Sequence, residues 1–388
     1  MKIVDIATRS VKLSGNISNA VVSFDDHDVS LVAVISDVIR GGRPVTGIAF
    51  NSIGRYAQRG ILMDRIRPRI LAAAPDSVLN DAATQFDPAK IYALAMKNEK
   101  PGGHGDRASA IAAVELAIWD LNAKLAEVPA YRLIADVFGH TLTKAETPVY
   151  AAGGYYYAPG SKHSLRDELL SYQDIGFDAF KIKVGGAELE YDLARIEEAI
   201  AISGSGSRLA VDANGRFDLA QGLNFARHIA DYDLRWYEEI GDPLDFALNQ
   251  SLAHYYPGAI ATGENLFSSQ DVRNLLNFGG MRADKDIFQM DAGLSYGLTE
   301  YARMIDLLEQ RGFRRAQVYP HGGHLINLHI VIGLGLGGCE AYPGVFQPFG
   351  GYPDTCPVAG GYVRASDAPG FGLEEKPDIA AAISQLLA

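Results

Sequence analysis

Short, mostly apolar runs recur through the second half of the chain, and each stops at a polar residue. Phe180-Lys181-Ile182-Lys183-Val184 alternates apolar and basic positions. RLAVD then closes at Asp212, LRWYE at Glu238, AIATGE at Glu264, IFQMD at Asp291 and AQVYPH at His321. Counted from Lys183, these ends lie 29, 26, 26, 27 and 30 residues apart. A strand, a loop, a helix and a return loop take about 30 residues. The pattern therefore predicts an α/β fold, a (β/α)8-type barrel, with one polar side chain at the C-terminal end of successive strands, where such barrels build their active sites. The first barrel strand is predicted at 148–152, and Gly153-Gly154-Tyr155-Tyr156-Tyr157 follows it at the active-site end. Helices are expected over 164–175 and 188–202, a helix with breakers over 322–337, and the eighth strand over 338–342.

The first part of the chain has a different rhythm. Residues 2–7, 29–37 and 45–50 alternate in the manner of antiparallel strands. The stretches 14–18 and 51–60 read as ordered surface loops, which in a two-domain enzyme can fold over a site. From Leu62 to about Leu125 the pattern is helical. Its last segment, ASAIAAVELAIWDLNAKLA, is apolar nearly all round, so it is expected to lie buried between domains. The organisation predicted is an N-terminal α+β capping domain over 1–146, a barrel over 147–356, and a tail over 357–388 that completes the first domain. The Pro- and Gly-rich stretch 343–372 is expected as a non-helical wrap and 378–387 as a terminal helix.

Composition narrows the class. The chain has 388 residues, 48% hydrophobic and 21% charged, with a net charge of −12. That acidity argues against nucleic acid as a partner and means that local cations must receive any anionic substrate. Two cysteines, Cys339 and Cys356, make no disulfide framework. The N-terminal residues lack the apolar core of a signal peptide, and no apolar run reaches the ~18 residues of a membrane span. The expectation is a cytoplasmic protein with no membrane partner, assembling as a homo-oligomer.

Three chemical constellations follow. Asp212, Glu238 and Glu264 end three consecutive predicted strands, and carboxylates converging there would repel one another without a cation among them. An all-oxygen set suits Mg²⁺. The alternative is a set of helix caps and loop contacts. Lys181 and Lys183 lie two apart on one strand and share a face. Two close ammonium groups lower each other's pKa, so Lys183 is a candidate general base; the alternative is a pair of solvated lysines. His321 and Asp291 end neighbouring predicted strands, an arrangement in which a carboxylate orients an imidazole as acid or base. A transition-metal pair, His321 with His324, lacks a nearby cysteine. Gly333 to Gly338 matches G-x-G-x-x-G but opens no new β-α-β unit, so a dinucleotide site is rejected.

The ordered set KIK, VDANG, WYEE, TGEN, the Gln289–Asp291 strand end and PHGGH, preceded by AIWDLNAKLA, resembles the mandelate racemase subgroup of the enolase superfamily over nearly the whole chain. NEKPGGHG, VYAAGGYYY, WYEEIGDPLD and FQPFGGYPD are similar to stretches of the D-tartrate dehydratases within that subgroup. The resemblance implies an enolase-like modified barrel and Mg²⁺ held by Asp212, Glu238 and Glu264. It implies Lys183 as the base on the C2 proton and His321, oriented by Asp291, as the acid on the departing hydroxyl. It further implies substrate contacts from Asn19, Lys100 and Tyr156, support of the carboxylate end by Lys181 and Asn214, and Glu340 at the eighth strand end. One position departs: the tartrate-type lid pattern NSNGR reads Asn51-Ser52-Ile53-Gly54-Arg55 here. A site built to hydrogen-bond a group discriminates far more than an apolar wall can, so Ile53 bears on the substrate rather than on the chemistry.

The leading reading is Mg²⁺-dependent dehydration of a short hydroxy diacid or acid sugar, D-tartrate to oxaloacetate first. An acid-sugar racemase or epimerase could use the same two proton carriers. A Schiff-base aldolase on Lys183 needs no metal, and a silent ligand-binding protein predicts affinity without turnover.

Overall fold

The computed structural model describes residues 1–14, 17–157 and 164–388. Three antiparallel strands open the chain: β1 (Ile3–Lys12), β2 (Asp28–Arg40) and β3 (Arg43–Phe50), in the order β1-β2-β3. They are longer than the alternation predicts, because exposed polar residues extend each strand beyond its apolar stretch. The loop between β1 and β2 includes Gly15 and Asn16, which lie outside the described residues. The 51–60 loop lies at the surface from Gly54 on, apart from the buried Gln58, but its first three residues do not. Asn51, Ser52 and Ile53 are all buried, since the loop is wedged between the sheet and the barrel.

The helix Asp106–Ala126 lies across this sheet with residues 108–123 buried. It approaches so closely that a Cβ on Gly47 of β3 would fall 1.9 Å from the Ala117 carbonyl. Burying polar groups in such a helix costs free energy unless they are bonded, and three of them are used as joints. Glu115 accepts from the backbone N–H groups of Leu298 and Thr299 at 2.8 and 2.9 Å, at the start of the barrel helix Leu298–Gln310. Asp120 accepts from Ile48 of β3 and from Phe371 of the tail, both at 2.7 Å. Asn122 pairs with the backbone of Phe86 in both directions. The helix thus joins sheet, barrel and tail, its nearly all-round apolar sequence burying it and its few polar residues fixing the joints.

The barrel strands are β4 (Glu146–Gly153), β5 (Phe180–Lys183), β6 (Leu209–Asp212), β7 (Trp236–Glu238), β8 (Ile260–Thr262), β9 (Ile287–Phe288) and β10 (Cys339–Ala341). They pair in parallel from β4 to β9, and β10 pairs with β4. The expected seventh strand is a correction. Arg315–Gln317 forms a 3-10 turn, and only Val318 bridges to Phe288. Tyr319 N–H donates to the Phe288 carbonyl at 2.9 Å and Gly337 N–H to Val318 at 3.0 Å, so the gap is spanned by single bonds. The tail also differs from a plain wrap. β11 (Val358–Ala359) and β12 (Tyr362–Arg364) form a hairpin that adds antiparallel to the lower end of β4. The tail then passes the first domain, where Gly370 and Phe371 bond Ala130 and Asp120, and ends in the helix Pro377–Leu387. Among the described residues no helix is long and apolar enough to cross a membrane, and both cysteines are free and buried.

The helix Leu325–Leu334 is buried at every position and carries His329. Its Nδ1 accepts from Tyr131 N–H at 3.2 Å, and Nε2 has no partner among the described residues. Burial pushes the imidazole pKa down to about 3 from 6.5. The unfolded chain takes up this proton below 6.5 and the folded chain refuses it until about 3. Stability from this residue is therefore complete above 6.5 and is lost as pH falls toward 3, at about 1.4 kcal/mol per pH unit. Between pH 7 and pH 5 the wild type is expected to lose about 2 kcal/mol more than His329→Asn, which keeps an acceptor and cannot titrate. Urea midpoints measured across that range check this; parallel curves for the two proteins would refute it.

Candidate active site

Register, more than the identity of any one strand, assembles the site. Lys183 of β5 pairs with Asp212 of β6, and Asp212 pairs with Glu238 of β7. Side chains in register on neighbouring parallel strands share a face, so these three form one row across the barrel interior. Lys181, two residues back from Lys183, lies on the same face one level deeper.

All four are buried, and they bond to one another. Lys183 Nζ donates to Asp212 Oδ2 at 2.6 Å. Lys181 Nζ lies 2.7 Å from both Glu238 and Glu340 and 3.7 Å from Asp212. Asp212 Oδ1 also accepts from Asn214 N–H at 2.8 Å, and Glu238 Oε2 from the Trp236 indole at 2.8 Å. These pairs correct the expectation of lowered lysine pKa values. Burial is the largest influence on both and lowers them, but Asp212 with Tyr155 and Glu238 at Lys183, and Glu238 and Glu340 with Tyr150 and Asp212 at Lys181, together outweigh it, so both ammonium groups are held above their ordinary value. The mutual repulsion of the lysines is a smaller influence than their carboxylates. Burial opposes the charge on Asp212 too, yet Lys183 and Lys181 hold it down at about 2. Burial and then the Asp212 charge push Glu238 up to about 8.

Above this layer lies a cavity of about 300 Å³. Lys183, Asn214, Glu264 and His321 line it from the barrel, and Asn19, Ile53 and Arg55 from the first domain. His321 Nδ1 lies 3.3 Å from Asp291 Oδ2, and Nε2 lies 3.1 Å from the Tyr342 hydroxyl and 3.9 Å from Glu264. Asp291 is fixed in turn by Gly293 N–H at 2.8 Å. Burial lowers the His321 pKa, but Glu264, the Asp291 bond and Glu340 together raise it to about 9.

Two expected substrate contacts are not brought to the cavity. Lys100 is exposed on the connection before the helix Asp106–Ala126 and lies outside the lining. Tyr156 turns the other way: its hydroxyl donates to Asp192 at 2.7 Å, and its ring lies under Arg195. Tyr155 takes its place on the wall. Gly154, with φ +59°, breaks the alternation after β4, so the residue facing the cavity shifts by one. Lys181 and Glu340 sit beneath the lining rather than in it. Glu340 accepts from Gly322 N–H and the Tyr342 hydroxyl, both at 2.9 Å.

The lining residues not singled out from sequence include Tyr155, Glu239, Asn265, Tyr342 and Arg55. Glu239 follows Glu238 and would point outward if the strand continued. The strand ends at Glu238, and a φ of +40° at Glu239 turns its side chain into the cavity. There burial and the charges of Glu264 and Asp212 push its carboxyl well above the usual range.

Among the described residues no three His, Cys, Asp or Glu side chains form a ready-made metal cluster, and Lys183 and Lys181 bond Asp212 and Glu238. The donor chemistry nevertheless suits a hard divalent cation. Asp212, Glu238, Glu239 and Glu264 supply only carboxylate oxygens, and burial first, then the neighbouring carboxylates, push Glu238 and Glu239 upward, which a cation placed among them would relieve.

Residues 164–379 match the enolase C-terminal domain-like family, and residues 18–135 match the N-terminal domain of mandelate racemase and muconate lactonizing enzyme. The chain belongs to the mandelate racemase/muconate lactonizing enzyme family. Its relatives in that family include arabinonate dehydratase of Saccharolobus solfataricus, 26% identical over 235 residues; the match spans 60% of this chain and 60% of that one. L-talarate/galactarate dehydratase of Salmonella typhimurium is 27% identical over 301 residues, 77% of this chain and 70% of that one. Among solved structures, a racemase from Streptomyces coelicolor A3(2) with bound magnesium superposes with a TM-score of 0.75 at 22% identity, covering 97% of this chain and 98% of that one. At that identity the likeness establishes the fold.

Proposed function

We propose that this protein is a Mg²⁺-dependent dehydratase of short hydroxy diacids and acid sugars, with D-tartrate as the first candidate substrate and oxaloacetate as its product. The observation that carries the reading is the placement of two proton carriers, Lys183 and His321, on one cavity from different strand ends, with the carboxylate layer beside them. Dehydratases of acid sugars among the relatives support the reaction class.

Asp212, Glu238 and Glu264 would hold the cation, with Glu239 adding negative charge next to them. Bound there, Mg²⁺ supplies a Lewis acid that polarises the substrate carboxylate and offsets the charge left as the α-proton departs. Asp212 would turn from Lys183 toward the cation, and Lys183, relieved of the carboxylate that holds its proton, would take the C2 proton as the free amine. His321, held by Asp291 through one ring nitrogen, presents the other to the leaving hydroxyl and protonates it. Lys181, fixed between Glu238 and Glu340, supports the carboxylate end from below. Asn214, with a buried Oδ1 lacking a partner among the described residues, is placed to orient a hydroxyl.

Ile53 is 1% exposed and lines the cavity, so this part of the wall offers no hydrogen bond where the tartrate-type pattern has a polar residue. Proton NMR in D2O with Mg²⁺ and D-, L- and meso-tartrate and longer acid sugars tests the proposal. Loss of D-tartrate with appearance of oxaloacetate or pyruvate is the expected result, abolished by a chelator and restored by Mg²⁺. Turnover of another acid would keep the mechanism and move the substrate. Epimer formation without dehydration would instead make the protein a racemase, and chelator-resistant turnover would remove the metal from the mechanism.

A further inference from the structure

Lys183 and His321 are each committed to a carboxylate of the protein, Asp212 and Asp291. Arg55 lines the same cavity, but no carboxylate of the described residues pairs with its guanidinium. Its Nη2 donates to Asn265 Oδ1 at 2.7 Å, and the group lies 5.0 Å from the centroid of the Phe267 ring. Asn265 spends its own amide on Glu239 at 2.5 Å. The side-chain amide is thus interposed between the guanidinium and Glu239, so the cation is held in place without an ion pair to it.

The loop that carries Arg55 is fixed before any ligand arrives. Ser30 N–H donates to Asn51 Oδ1 at 2.6 Å, and Asn51 Nδ2 donates to the Arg55 carbonyl at 3.0 Å. Ala57 N–H donates to Asp28 at 3.0 Å. Ser52 Oγ lies 2.9 Å from His324 Nε2, which ties the loop to the barrel. A guanidinium presents a planar fork that matches a carboxylate in two parallel bonds. Preorganising that fork on an apolar-sided loop costs little further ordering on binding.

We propose that Arg55 binds the substrate's second carboxylate, the one remote from the reacting carbon, and so selects diacids over monoacids of the same length. The proposal rests on the dehydratase reading for what happens at the other end of the substrate. It assigns the loop two jobs: Ile53 shapes the wall and Arg55 receives the charge.

The test separates binding from turnover. In a Lys183→Ala background, which cannot consume the ligand by the proposed route, calorimetry with Mg²⁺ present compares D-tartrate with threonate and galactarate with galactonate. The diacids are expected to bind about 30-fold or more tighter, and Arg55→Met to erase that difference. Arg55→Lys, which keeps the charge and loses the fork, should retain part of it. Melting curves of the variants check that the loop has not unfolded. Equal affinity for diacids and monoacids before the Arg55 change, or an equal loss for both after it, would overturn the assignment. The expected binding pattern in a protein that dehydrates none of these acids would leave Arg55 as the diacid receptor while removing the dehydratase reading. Failure of every acid to bind would overturn both.

Discussion

Lys183→Ala is expected to reduce turnover by about 10⁴-fold and to abolish exchange of the substrate α-proton with D2O. The argument is positional. Lys183 is the last residue of β5, its Nζ is at the cavity wall, and the residue paired with it on the next strand is Asp212. Its neighbours are a carboxylate at 2.6 Å and the face of Tyr155 at 5.4 Å. A side chain so enclosed has few orientations to choose from, which is what a base aimed at one carbon needs once Asp212 releases its proton and leaves the free amine. Removing it leaves Asp212 with Lys181 at 3.7 Å and the Asn214 bonds, so the fold should survive while the chemistry does not. Single-turnover NMR in D2O gives the two readouts together. Normal turnover in the variant would place the base elsewhere and undo the mechanism. Loss of turnover with exchange intact would assign Lys183 to a later step.

What the sequence revealed and what it hid have physical causes. The interval between strand ends is set by the length of a β-α unit, so Lys183, Asp212 and Glu238 could be aligned from numbering alone, and they are in register. The same rule weakened toward the end of the barrel. β9 has two residues and the seventh position a single bridge, because a 3-10 turn takes up part of that run. Alternation also fails wherever the backbone turns left-handed. Gly154 exchanges Tyr156 for Tyr155, and Glu239 enters the cavity at a φ that no strand pattern predicts. Lys100 carried the right charge in a loop of the right composition, but nothing in a sequence tells how far such a loop stands from the barrel mouth. The raised lysine pKa values are invisible in sequence for a related reason. Spacing along one strand shows that two ammonium groups are near each other, while the carboxylates that outweigh them come from other strands. The hairpin of β11 and β12 pairs residues more than 200 positions away, at the foot of β4, and its two short strands carry no periodic signal.

His321→Asn separates the two halves of the proposed reaction. His321 reaches the cavity from the segment after the single-bridge seventh position, and three contacts hold it. Asp291 takes Nδ1, the Tyr342 hydroxyl meets Nε2, and Asn327 bonds the His321 carbonyl. A ring held at Nδ1 by a carboxylate turns Nε2 toward the cavity and donates from it when protonated. Dehydration requires that donation, because hydroxide is a poor leaving group, whereas removal of the α-proton by Lys183 does not. The variant is therefore expected to lose about 10³-fold in dehydration and to keep incorporating deuterium at C2 of the substrate. Asn327 and Glu340 still anchor the backbone around Gly322 in the variant, so the cavity keeps its shape. Asp291→Asn should fall between wild type and His321→Asn, since it loosens the ring without removing it. If His321→Asn dehydrated at the wild-type rate, the acid would have to be another group at the wall, and Tyr342, already 3.1 Å from Nε2, is the one the geometry would then favour. If exchange and dehydration vanished together, proton removal and hydroxyl loss would be one concerted event, and Lys183 and His321 would have to act on the same transition state.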